Sequence, residues 1–180
     1  MAFNKNSVIY AVKGERELER ALKKKGSYVF FLKADINTVA DEVRRCREAG
    51  KKSFIHIDLA DGMGRDEATI RFIARQIKPD GILTTKINVV KMAKDYGMEV
   101  VYRVFMIDSQ SMASAVSNVK KYSPDAVEVM PGVAYDAIKE LSEVLPVDVI
   151  AGGLIHTEEN VINAFKAGAA AVSTSCEKLW

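Results

Sequence analysis

Eight short runs of β-forming apolar residues alternate with segments of helical spacing along these 180 residues, about 22 residues apart. The runs lie at residues 8–12, 28–33, 53–59, 81–85, 99–105, 126–130, 148–151 and 170–174. Between them, apolar residues recur on single helical faces: Leu18, Ala21 and Leu22; Val39, Val43 and Cys46; Ile70, Ile73, Ala74 and Ile77; Val161, Ile162, Phe165 and Ala169. Strands joined by helical crossovers run parallel. Eight such units predict an α/β fold of the closed (β/α)8 barrel type, in one compact domain over residues 1–180. The length is short for this fold, so some helices must be short or missing. Only Cys176-Glu177-Lys178-Leu179-Trp180 follows the eighth run.

The punctuation agrees. Gly26, Gly50 and Gly97 each stand between a helical run and a strand, where helix-terminating glycines belong. Lys78-Pro79-Asp80-Gly81 and Ser123-Pro124-Asp125-Ala126 read as two similar helix-to-strand turns. Asp66, Asp108 and Thr157 read as helix caps.

Strands covered on both faces should be almost wholly apolar. Several of these are not. His56 and Asp58 share one face of the third run, with Ile55, Ile57 and Leu59 on the other. Arg103 alternates against Tyr102 and Val104, Glu128 sits between Val127 and Val129, and Lys86 follows the fourth run. If the aliphatic faces meet the outer helices, the polar faces point into the barrel. A buried charge there needs a partner or water. Arg103 and Glu128, on adjacent strands, are expected partners, either as a structural ion-pair layer or as ligand contacts. For His56 the plainer reading is a core histidine with its hydrogen bonds satisfied. Asp58 and Lys86 lie at strand C-terminal ends, the active face of this fold, and are expected at the ligand.

The last third of the chain carries the sharpest chemistry. Val149-Ile150-Ala151-Gly152-Gly153 and Ala171-Val172-Ser173-Thr174-Ser175 each end in residues suited to an anion, separated by one amphipathic helix. Gly152 and Gly153 allow close backbone approach, and Ser173, Thr174 and Ser175 offer hydroxyls and amides. Two such turns after the last two strands match the phosphate grip of many barrels. Met130-Pro131-Gly132 puts Gly132 on the same rim. A small phosphorylated ligand is therefore expected.

Composition narrows the other classes. A net charge of +2 gives no field that by itself implies nucleic acid, and it does not exclude it. Two cysteines and two histidines are too few and too scattered for a metal cluster or a disulfide framework. No segment approaches the roughly 18 apolar residues of a membrane helix, and the start has no apolar signal region, so the cytoplasm is the expected location. Oligomeric state leaves no signature.

These residues resemble the glycerol-3-phosphate-responsive antiterminator family. The resemblance rests on His56-Ile57-Asp58-Leu59 with Gly62, on Lys78-Pro79-Asp80-Gly81-Ile82-Leu83-Thr84-Thr85-Lys86, and on Arg103-Val104-Phe105 with Asp108-Ser109. It continues through Pro124-Asp125-Ala126-Val127-Glu128-Val129-Met130-Pro131-Gly132, Ile150-Ala151-Gly152-Gly153-Leu154-Ile155 and Ala171-Val172-Ser173-Thr174-Ser175, closed by Leu179-Trp180. The Thr-Thr-Lys run and the Ser-Thr-Ser run with its closing Leu-Trp are its most specific parts. It implies a regulator without catalytic residues or cofactor, which binds glycerol 3-phosphate as effector and then the leader mRNA of glycerol operons. Arg65 and Lys178 are candidate contacts to the RNA backbone. The alternative from the residues alone is a small phosphate-binding barrel enzyme, an isomerase, lyase or aldolase acting on a phosphorylated polyol.

Overall fold

The structure is a computed structural model that describes residues 3–180. Eight strands form a closed parallel barrel in sequence order: β1 (Ser7–Val12), β2 (Tyr28–Phe31), β3 (Lys52–His56), β4 (Gly81–Thr84), β5 (Glu99–Phe105), β6 (Ala126–Met130), β7 (Asp148–Gly152) and β8 (Ala171–Thr174). Around it stand α1 (Glu15–Leu22), α2 (Val39–Glu48), α3 (Glu67–Phe72, continued by a π turn at Ile73–Ile77), α4 (Ile87–Asp95), α5 (Ser109–Tyr122), α6 (Tyr135–Val144) and α7 (Glu158–Lys166). β8 is followed by a 3-10 turn at Glu177–Leu179, and the Trp180 ring packs 5.2 Å from that of Tyr10.

Side-chain alternation divides the core in two. Outward residues such as Val29, Ile55, Val127 and Val172 pack under the helices with Leu18, Val43, Ile70 and Ile138. Inward residues Ile9, Phe30, Phe54, Leu83, Val101, Ala126, Ile150 and Ala171 fill the N-terminal half of the barrel. Phe3 plugs that end, its ring 4.8 Å from Tyr28 and 5.4 Å from Phe54. The barrel is thus solid below, and only its C-terminal half has room for polar groups.

The two proline turns repeat one device. Lys78 (φ 55°) and Ser123 (φ 48°) are left-handed, the proline follows, and the aspartate caps a neighbouring strand. Asp80 Oδ2 accepts from Ser53 N and Asp125 Oδ2 from Val100 N, each at 2.8 Å. Asp66, Asp108 and Thr157 cap α3, α5 and α7 as expected. Gly50 and Gly97 close helices at φ 69° and 74°, but Gly26 does not. α1 is capped at Lys23, and Gly26 instead leaves space for the Tyr10 hydroxyl, which accepts its N–H at 2.7 Å.

The third strand is shorter than its composition suggests. It ends at His56, and Ile57–Leu59 forms a 3-10 turn. Asp58 is drawn sideways to the end of β4, where Thr84 and Thr85 bind its carboxylate.

Candidate functional site

One step above the apolar plug, the inward positions turn polar. His56, Arg103, Glu128, Gly152 and Ser173 each lie two residues beyond an inward apolar residue: Phe54, Val101, Ala126, Ile150 and Ala171. The period-two alternation of a strand therefore puts all five on the inner face, in a polar layer above the apolar plug.

The layer is built on Glu128. It is fully buried, its Oε2 accepts from Arg103 Nε at 2.6 Å, and its Oε1 accepts from Ser173 Oγ at 2.5 Å. Arg103 and Glu128 are direct register partners on β5 and β6. Gly152 makes the arrangement possible, because a Cβ there would collide with the Glu128 carboxylate. Gly132 in turn packs on the Gly152 backbone, where a Cβ would come within 2.7 Å of Gly152 N, and its N–H donates to Gly153 O at 3.0 Å.

Asp58 lies at the rim. Thr84 Oγ1 (2.9 Å), Thr85 N (2.6 Å) and Thr85 Oγ1 (2.7 Å) all donate to its carboxylate. Burial alone would raise its pKa, yet these donors hold it below the ordinary aspartate value. The Arg65 guanidinium covers it, donating to the Asp58 carbonyl with Nε 3.7 Å from Oδ1. A cleft of about 600 Å³ opens here, lined by Lys13, Leu32, Lys33, residues 58–61, Arg65 and Arg103. Lys86 is exposed at the N-terminus of α4, following β4. A larger groove of about 1090 Å³ lies on the outer wall between α5 and α6 and holds none of the polar layer.

His56 departs from the expected satisfied core residue. It is buried, but neither ring nitrogen makes a hydrogen bond of standard geometry; Asp58 Oδ2 stays 3.8 Å from Nε2. Burial and then the Arg103 charge push its pKa down to about 4, against smaller opposing pulls from Asp58, Glu128 and the Leu32 backbone. The imidazole is therefore neutral at physiological pH.

The two anion turns are brought side by side by β7–β8 pairing, with Gly152 opposite Ser173. Their groups divide. The Ser173 hydroxyl is bound to Glu128, and Thr174 Oγ1 donates to Ile155 O (2.7 Å) while accepting from Cys176 N (3.0 Å). Gly153, Leu154 and Ser175 lie past the strand ends, with Leu154 and Ser175 exposed. Gly153 (φ 77°) and Leu154 (φ 60°) are both left-handed, and a non-glycine residue there stores strain of the kind that collects at ligand sites. Lys13 and Lys33 were not among the expected ligand contacts; Lys13 directly follows the first apolar run and Lys33 closes the second, and that position was the available signal.

The chain matches, over residues 8–180, the family described as glycerol-3-phosphate responsive antiterminator. It belongs to that family. A glycerol uptake operon antiterminator regulatory protein from Listeria monocytogenes is 34% identical and superposes with a TM-score of 0.94, covering 100% of this chain and 97% of the other. A glycerol uptake operon antiterminator-related protein from Thermotoga maritima is 29% identical at a TM-score of 0.86, with 98% of each chain covered. The uncharacterised protein YgcP of Escherichia coli is 34% identical over 175 residues, 97% of this chain and 92% of that one. Among the described residues no helix is long and apolar enough to cross a membrane, and no cluster of three or more His, Cys, Asp or Glu residues is placed to hold a metal. This antiterminator-family chain therefore presents a polar layer, two anion-suited turns and a cleft lined by four cations and two carboxylates on one face of the barrel.

Proposed function

We propose that the protein senses glycerol 3-phosphate and, when loaded, binds the leader mRNA of glycerol operons in the cytoplasm to prevent premature transcription termination. The observation that carries the sensor reading is the state of Glu128. A general base must be free to take a proton from the ligand. Glu128 is held on both oxygens, by Arg103 and Ser173, in a fully buried position. Such a carboxylate shapes a site and does not turn a substrate over. The phosphate sits at the backbone amides of Gly153 and of the Ser173–Ser175 turn, where charge-assisted hydrogen bonds contribute roughly 1.5–3 kcal/mol each.

The RNA part rests on family membership and on local charge. Lys13, Lys33, Arg65, Lys86 and Lys178 all follow strand ends and are exposed on the C-terminal rim, so cations for an RNA backbone are at hand there, beside Asp35 and Asp61, despite a net charge of only +2. A ligand that orders this rim couples the two binding events.

The test is calorimetric titration with glycerol 3-phosphate and with glycerol, the mixture then assayed for products, followed by leader-RNA titration at fixed salt with and without glycerol 3-phosphate. Binding of the phosphate alone, no product and ligand-dependent RNA affinity are expected. Equal affinity for glycerol and its phosphate, or identical RNA curves, refutes the reading. Product formation supports the small phosphate-binding barrel enzyme instead.

A further inference from the structure

His56 has an unmet requirement that the rest of the site does not account for. It faces inward at the end of β3, two residues beyond Phe54, and is 3% exposed. Both Nδ1 and Nε2 are buried without a hydrogen bond of standard geometry, the Leu32 backbone making only a weaker contact with the ring. The nearest committed groups are turned elsewhere. The Asp58 carboxylate is turned to Thr84 and Thr85, and Arg103 Nε is given to Glu128. A buried polar group left open in this way is costly and calls for a partner that arrives from outside.

The chemistry of that partner follows from the imidazole. A neutral ring offers one donor and one acceptor. An anion could use only the N–H, and a cationic donor only the lone pair. A hydroxyl group both donates and accepts, and it carries no charge to conflict with Arg103 on one side and Asp58 on the other. Asp58 and Arg103, whose charges act on the ring, both line the cleft at the mouth of the barrel.

We propose that His56 is the specificity-determining residue that reads a hydroxyl of the ligand, so that the site selects a phosphorylated polyol over a phosphate without hydroxyls. The proposal rests on the glycerol 3-phosphate reading and adds to it the residue that recognises the polyol end. The anion turns on β7 and β8 hold the phosphate, and His56 on β3 lies across the barrel from them.

The experiment compares glycerol 3-phosphate with propyl phosphate, which keeps the phosphate and lacks both hydroxyls. The wild-type protein should bind the first about tenfold more tightly or better, the scale of one or two net hydrogen bonds. In His56→Leu that preference should fall to within about twofold, with propyl phosphate affinity unchanged. Its melting temperature should hold or rise, because an unsatisfied buried polar group has been removed. A full preference retained by His56→Leu overturns the proposal and leaves His56 to a buried water. Nitrogen NMR of the wild-type imidazoles gives a second measurement that needs no variant, since the chain has only two histidines. Glycerol 3-phosphate should shift the His56 ring nitrogens and propyl phosphate should not. Equal shifts, or none, overturn the assignment. Failure of the wild-type protein to bind either phosphate refutes the underlying sensor reading, a different result from equal binding of both.

Discussion

The Glu128 carboxylate occupies the space that a side chain on Gly152 would fill. The two residues sit on adjacent strands, with Gly152 opposite Ser173, the second residue that holds Glu128. The glycine is thus part of the ion-pair layer, and its absent side chain is what lets Glu128 reach Arg103 and Ser173 together.

Gly152→Ala should therefore act through Glu128. The added methyl displaces the carboxylate and weakens a buried ion pair, so a loss of about 2–4 kcal/mol in urea unfolding is expected. Glu128→Ala alone leaves Arg103 buried and unpaired and should cost about 3–5 kcal/mol. In the Glu128→Ala background Gly152→Ala should cost far less, because its obstacle is gone. Additive losses in this cycle would show that the two residues are independent.

Asp58 makes a different prediction. Its carboxylate is committed to Thr84 and Thr85, so Asp58→Ala should destabilise the β4–α4 turn by about 1–3 kcal/mol as well as weaken ligand binding through Lys86 and Arg65 nearby. Thr85→Val should reproduce part of both effects. If Thr85→Val leaves melting temperature and affinity at wild-type values while Asp58→Ala lowers affinity alone, Asp58 touches the ligand directly.

The barrel was legible because its signal is periodic. Alternation of apolar runs sets the strands, and the step of two from Phe54, Val101, Ala126, Ile150 and Ala171 sets the polar layer. The Arg103–Glu128 pair follows from adjacency in a parallel sheet. What the sequence hid depends on side-chain reach. Asp58 continues the alternation of β3 on paper, yet leaves it because Thr84 and Thr85 offer three donors at the end of the neighbouring strand. That departure strands His56, so its open nitrogens could not be read from local pattern. Gly152 reads equally well as a ligand approach and as clearance for Glu128; only the direction in which Glu128 leans decides that the clearance is used.

The two thiols should separate cleanly. Cys46 on α2 is fully buried and burial pushes its pKa up to about 12, whereas Cys176 is half-buried past β8. A disulfide-exchange reagent at pH 8 should titrate one thiol in the native protein and two after denaturation. Slow release of the second thiol would report opening of α2. Immediate reaction of both would contradict the packing of α2 on the barrel.

Acid sensitivity should carry the mark of His56. Its ordinary pKa of 6.5 is lowered to about 4 in the folded chain, chiefly by burial and then by Arg103, with Asp58, Glu128 and the Leu32 backbone opposing. Between these values the unfolded chain binds a proton that the folded chain refuses. Stability from this group is therefore complete above about pH 6.5 and is lost as pH falls toward 4, by roughly 2–4 kcal/mol in total. Asp58, whose pKa is lowered from 3.8, contributes stability that is lost only below that window. Urea unfolding of wild-type protein and His56→Leu from pH 4.5 to 7 isolates the effect, since all other groups are common to both. The wild-type curve should fall more steeply with acid, by a slope approaching one proton, and the two should converge toward neutral pH apart from a constant offset. Parallel curves across the window would mean that His56 is already charged or already solvated in the folded state.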